Sequence, residues 1–136
     1  SMSKSFELIC GEDEISRLVQ ALPKSGIILL IGDLASGKTT LARAIVRAHG
    51  LNEHVSSPTF SIMQNYGQIY HYDIYNGGCE GILKNGLFEN LFEEGLHLIE
   101  WADENLINLL KKYELDCCVV RITPHAQGRK YEVSYA

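Results

Sequence analysis

The octet Gly32-Asp33-Leu34-Ala35-Ser36-Gly37-Lys38-Thr39 matches G-x-x-x-x-G-K-[ST] at every fixed position. Glycines at that spacing let successive backbone N–H groups converge on oxygen anions at the positive end of a helix. The lysine after the second glycine reaches the β- and γ-phosphates of a nucleotide, and the hydroxyl that follows ligates Mg²⁺. The expected phosphate cradle is therefore Asp33, Leu34, Ala35, Ser36 and Gly37, continued by Lys38, Thr39 and Thr40. A glycine turn before an ordinary helix, with Lys38 in solvent, is the alternative; it leaves the order strand, loop, helix to coincidence.

Magnesium keeps an octahedral oxygen shell, so carboxylates are needed nearby. Asp73 lies in the strand-like Tyr70-His71-Tyr72-Asp73-Ile74-Tyr75, and Glu100 ends the apolar run Leu96–Ile99, where open α/β sheets place their ligands. Each could instead be a strand-edge acid paired with a base. Trp101 reads either as a core aromatic or as part of this site. Between Arg47 and Arg121 the only Lys or Arg is Lys84, so the middle of the chain encodes no arginine-rich lid of the kind kinases close over a phosphoryl group. No Asn-Lys-x-Asp element is present to read guanine, which tilts the base toward adenine.

The elements that must hold these residues follow from periodicity. Phe6–Cys10 reads as a strand, Asp13–Leu22 as an amphipathic helix, and Gly26–Ile31 as a central strand apolar on both faces. Leu41, Ala44, Ile45 and Ala48 recur at helical spacing from Lys38 toward Gly50. Phe60–Asn65 and Gln68–Tyr75 form an expected hairpin around Gly67, and 76–85 is glycine-rich and weakly patterned. A short helix over Leu87–Phe92, a buried strand over Leu96–Trp101, a helix over Asp103–Tyr113 and closing strands over Leu115–Ile122 and Tyr131–Tyr135 complete the chain. The expected fold is α/β: a P-loop NTPase-like three-layer α/β/α sandwich with a mostly parallel central sheet and an antiparallel hairpin.

Composition bounds the function. A chain of 136 residues, 46% hydrophobic and 21% charged, suits one domain, expected over 4–136, with Ser1 ahead of Met2 a cloning remnant and residues 1–3 a disordered N-terminus. The aliphatic run Ile27–Ile31 is far shorter than the ~20 residues of a spanning helix, and no secretory signal opens the chain; the expectation is a cytoplasmic protein. Cys10, Cys79, Cys117 and Cys118 lack zinc spacing and read as reduced, partly buried thiols. A formal charge of −5 argues against strong independent binding to nucleic acid, so any RNA role would need a partner.

With the P-loop, Ser57-Pro58-Thr59-Phe60, His71-x-Asp73-x-Tyr75 and Glu100-Trp101 in this order, the chain resembles the TsaE (YjeE) family over most of its length. Three positions depart from the family pattern: Ala35-Ser36 where Gly-Ala is usual, Asn76 where an arginine commonly follows the tyrosine, and Ala102 where a proline commonly follows the tryptophan. The resemblance implies a P-loop ATPase using ATP/ADP and Mg²⁺, weak alone and stimulated by partners. It drives or resets a complex of TsaD and TsaB in threonylcarbamoyladenosine modification of tRNA adenosine 37, reaching tRNA only through that complex and no membrane.

By the same resemblance, Thr39 ligates Mg²⁺, Asp73 and Glu100 hold or orient its water shell, and one of the two polarises the attacking water. With Lys38 they form the catalytic set. Thr59 senses the γ-phosphate within a switch segment, whose alternative is a plain turn, and Trp101 joins the cofactor-binding residues. His71 is expected to pack or hydrogen-bond rather than act as a base. Arg129 and Lys130 are expected to face solvent at a hairpin, with partner contact as the alternative.

Overall fold

A computed structural model describes residues 4–33, 35–50, 62–75 and 77–136. Strand β2 (Gly26–Ile31) is apolar at consecutive positions because it is covered on both sides. Ile28 and Leu30 face a core formed with α1 (Ile15–Ala21) and α2 (Lys38–Ala48), through Leu18, Leu41 and Ile45. Ile27 and Leu29 face a second core with α3 (Gly78–Lys84) and α4 (Glu104–Lys112), through Ile82, Leu106 and Leu110. The period of two along the strand thus places a helix pair on each face of one sheet.

The remaining strands are β1 (Phe6–Cys10), β3 (Met63–Tyr66), β4 (Ile69–Asp73), β5 (Leu96–Glu100), β6 (Cys117–His125) and β7 (Gly128–Tyr135). The seven strands lie in the order β1-β7-β6-β2-β5-β4-β3. Pairs β6–β2, β2–β5 and β5–β4 are parallel, whereas β1–β7, β7–β6 and β4–β3 are antiparallel. The sheet is mixed rather than mostly parallel: its parallel centre is where crossover helices return the chain, and hairpins close both ends. The expected β3–β4 hairpin is present, turning at Gly67.

Several elements differ from the sequence expectation. Helix α3 forms in the stretch read as unpatterned, because Gly78 and Gly81 mask its periodicity and tertiary contacts supply what propensity withholds, about 1 kcal/mol per glycine. Asp103 supplies one of those contacts: its Oδ1 accepts the Leu106 N–H as the cap of α4 (2.9 Å) and also the Cys79 N–H (3.0 Å). The segment before α1 is a short 3₁₀ turn, Glu12–Glu14, and another, Glu89–Phe92, stands where a short helix was expected. Strands β6 and β7 run past the expected ends to meet across Pro124 and Arg129. Pro124 is tolerated because β2 pairs with β6 only as far as Arg121, so its missing N–H breaks no ladder on that side.

The four cysteines are free thiols, and burial pushes Cys117 up to about 11 and Cys118 up to about 12, which keeps them protonated and unreactive. Among the described residues, no helix is long and apolar enough to cross a membrane.

Candidate nucleotide-phosphate site

The loop from β2 to α2 is shaped by two glycines and an alanine. Gly37 precedes α2 at φ 104°, a conformation a side chain resists, and a Cβ at Gly32 would stand 2.5 Å from Ser36 Oγ. Ala35 adopts φ 63° without being glycine. That left-handed turn costs an L-residue roughly 1–2 kcal/mol, strain held within the loop itself.

Lys38 is buried within this loop rather than exposed. Its Nζ donates to the carbonyls of Gly32 (2.6 Å) and Asp33 (2.8 Å) and to Ser36 Oγ (3.3 Å). Burial pulls its pKa below the usual lysine value, opposed by the carboxylates of Glu100, Asp73 and Asp33. An ammonium held against the loop's own carbonyls is a charge fixed in place before any anion arrives.

The acids come from the two strands beside β2. Leu30, Glu100 and Asp73 stand level in register across β2, β5 and β4, and His71 lies two residues before Asp73 on the same face. That face looks toward α2. Thr39 Oγ1 donates to Glu100 Oε1 and Oε2 (3.1 and 3.3 Å), and His71 Nε2 donates to Glu100 Oε2 (2.5 Å) with both residues buried. Asp73 Oδ1 accepts the Tyr75 N–H at 3.2 Å. His71 is thus a hydrogen-bonding residue, as expected, and what it holds is the candidate metal-shell carboxylate.

Trp101 both packs on the core and lines the cleft beside the loop. It packs against the core between the sheet and helices α3 and α4, and its ring centroid lies 3.8 Å from Lys38 Nζ. Its backbone is left-handed at φ 66°, its N–H donates to the Leu30 carbonyl at 3.2 Å, and Tyr75 meets the ring edge-on at 5.0 Å. A bulky residue at positive φ is strained, and here the strained turn brings the indole over the loop lysine.

These groups line a cleft of about 610 Å³, within the common size range of small-molecule sites. Ala35, Ser36, Gly37, Lys38, Thr39 and Thr40 form its floor, with Asp73, Glu100 and Trp101 around it. Asp33 is the described member of the expected set that does not line it: its carbonyl turns inward on Lys38 and the residue is otherwise exposed. Leu34, the segment Ser57–Phe60 with Thr59, and Asn76 lie outside the described residues. The oxygen donors of Thr39, Asp73 and Glu100 suit a hard divalent cation. Among the described residues no three His, Cys, Asp or Glu groups cluster to hold a metal by themselves. That donor set fits Mg²⁺, which shares its shell with phosphate and water.

A sequence model of one family, described as "Threonylcarbamoyl adenosine biosynthesis protein TsaE", matches residues 11–131. The chain belongs to the TsaE family. Similar proteins named tRNA threonylcarbamoyladenosine biosynthesis protein TsaE include one from Rickettsia felis, 41% identical over 71% of this chain and 61% of its own length. Another, from Bacillus subtilis, is 37% identical over 88% of this chain and 82% of its own length. The chain therefore spans about six tenths of the Rickettsia relative. The solved structure titled "Crystal structure of Bacillus subtilus YdiB" superposes with a TM-score of 0.68 at 25% identity, covering 100% of this chain and 88% of that one.

Two cleft residues of this TsaE-family chain, Tyr75 and Arg129, were not among the expected site residues. Arg129, expected to face solvent, lines the cleft and packs on Gly37. The expected strands stopped at Ile122 and resumed at Tyr131, which left Arg129 in a loop; extending both until they met would have carried it to the edge where the P-loop emerges. Lys130, its neighbour, points instead to Glu7 (3.4 Å) on β1.

Proposed function

We propose that this chain binds ATP with Mg²⁺ and hydrolyses it slowly on its own. That turnover drives or resets a TsaB–TsaD complex in forming threonylcarbamoyladenosine at tRNA adenosine 37. The observation that carries the reading is the convergence on one cleft of a buried loop ammonium, Lys38, with the Thr39 hydroxyl and the carboxylates of Glu100 and Asp73. The names of the relatives support the biosynthetic setting.

In this reading the backbone N–H groups of Gly37 to Thr40 receive phosphate oxygens at the start of α2, and Lys38 offsets charge on the β- and γ-phosphates. Thr39, Asp73 and Glu100 hold Mg²⁺ or its waters; the bound ion supplies charge neutralisation at the phosphates. His71 fixes Glu100 from behind, so the carboxylate meets the cleft in one orientation. One of Asp73 and Glu100 polarises the attacking water, Trp101 covers Lys38 from above, and Thr59 reports the γ-phosphate to the partners. With a formal charge of −5, the chain meets tRNA through the complex, in the cytoplasm, rather than directly.

The test is steady-state phosphate release by the protein alone, with TsaB, with TsaD and with both, using Glu100→Ala as background. Slow release alone is expected, raised by the pair about 10-fold if they only order a loop and about 10³-fold if they add charge at the phosphates. Fast turnover alone, unchanged by the partners, would contradict the proposal.

A further inference from the structure

The ammonium of Lys38 is matched donor for donor by its own loop. An ammonium has three N–H donors and no acceptor. Around Nζ stand three protein oxygens: the Gly32 carbonyl at 2.6 Å, the Asp33 carbonyl at 2.8 Å and Ser36 Oγ at 3.3 Å. The Trp101 ring centroid is also 3.8 Å away, but that attraction acts on the charge as a whole and takes up no single N–H. A phosphate oxygen that bonds Lys38 therefore takes the place of one of these three acceptors.

The three are not equal. The two carbonyl bonds are short, and the Asp33 carbonyl is pinned from a second side by the Ser36 N–H at 3.0 Å. The bond to Ser36 Oγ is the longest and the weakest of the set. Its acceptor is nonetheless fixed in place: Ser36 is buried, and its Oγ fills the space beside Gly32, 2.5 Å from where a Cβ on that glycine would stand. Ser36 also lines the cleft, so the weakest of the three bonds lies on the side from which a phosphate would approach.

We propose that Ser36 is a positioning residue that holds nucleotide affinity down: its hydroxyl occupies the third N–H of Lys38 and competes for it with the phosphates. This rests on the nucleotide-binding reading above. On binding, Lys38 keeps its two carbonyl partners and turns the third N–H from Ser36 Oγ to a phosphate oxygen. Without the hydroxyl, a buried ammonium is left with one donor unmatched, which raises the free energy of the nucleotide-free protein and leaves that of the complex unchanged. The same loop lacking that one oxygen therefore binds phosphates more tightly.

The experiment is calorimetric titration of the full chain, wild type, Ser36→Ala and Ser36→Cys, with Mg-ATP and Mg-tripolyphosphate, alongside thermal melts. Ser36→Ala is expected to tighten both ligands by a common factor of about 2 to 10, the net scale of one hydrogen bond, with no gain in thermal stability. Ser36→Cys, close in size but a weak acceptor, should tighten both in the same direction. A damaged loop would weaken binding instead, so the sign of the change separates competition for Lys38 from a merely structural role. Weaker binding by Ser36→Ala would make the hydroxyl a phosphate ligand or a structural support, and overturn the proposal. Unchanged affinities would overturn it too, as would a gain for Mg-ATP alone, which would place the effect at the nucleoside. A gain in Ser36→Ala without one in Ser36→Cys would make the effect one of room rather than hydrogen bonding, and overturn it equally. If Ser36→Ala fails to melt cooperatively, Ser36→Cys decides: a shared gain supports the proposal and none overturns it. Failure of all three chains to bind either ligand would refute the nucleotide reading itself, and this inference with it.

Discussion

His71 and His97 are both fully buried on neighbouring strands, yet they face opposite sides of the sheet and sit in opposite chemical settings. His97 is closed within the core. Its Nε2 donates to the Glu93 carbonyl (2.9 Å), which fixes the tautomer; Nδ1 then accepts the Tyr72 hydroxyl (2.6 Å), and Tyr70 stacks on the ring at 4.7 Å. Burial lowers its pKa, so it stays neutral. His71 has one partner, the Glu100 carboxylate, and its Nδ1 finds none among the described residues. The core face satisfies its polar groups internally with neutral partners. The α2 face instead collects a lysine and two acids at a cleft with an imidazole buried behind one of them, the setting in which the proposed nucleotide and Mg²⁺ would bind.

The sharpest way to break this contrast is to truncate one large side chain on each side. Leu110→Ala, deep in the core beneath α4, should cost about 2–5 kcal/mol of stability by denaturant unfolding while leaving ATP affinity unchanged. Lys38→Ala should do the reverse, weakening ATP binding by about 100-fold or more in calorimetry with a smaller loss of stability than Leu110→Ala. Equal nucleotide affinity in Lys38→Ala and wild type would erase the distinction between the two faces.

A gentler pair compares the groups beside the two histidines. Glu100→Gln should weaken Mg-ATP binding about tenfold and leave ATP binding in EDTA unchanged, since a carbonyl and an amide replace the metal-shell carboxylate. Tyr72→Phe should cost about 1–3 kcal/mol of stability by orphaning His97 Nδ1, with no effect on either titration. Equal losses for Glu100→Gln with and without EDTA would remove Glu100 from the metal shell.

The legible parts of this molecule are those whose physics is local. The apolar run Gly26–Ile31, the glycine spacing around Lys38 and the helical recurrence from Leu41 to Ala48 each declare themselves within a few residues, and the structure follows them closely. Helix α3 was hidden because its glycines are offset by the Asp103 carboxylate and by packing on α4, neither visible in 78–84 itself. The mixed character of the sheet depends on how strands pair across the whole chain, so the placement of β7 between β1 and β6 had no local signal. Arg129 was lost with it: its place beside the cleft follows from a register, Pro124 opposite Arg129, rather than from a motif. Asp73 and Glu100 were legible because each ends a strand, and their common level across β4 and β5 is what the structure adds.

The account stands or falls on whether ATP enters the cleft above Lys38, and Trp101 is placed to report it. It is the only tryptophan in the chain, and its ring lies 3.8 Å from the ammonium that phosphate should engage. Its emission should be followed through a saturating Mg-ATP titration of the wild-type protein and of Lys38→Ala. We expect a saturable change in the wild type and none in the variant. An identical spectrum at every ATP concentration in the wild type would contradict a nucleotide site at this loop.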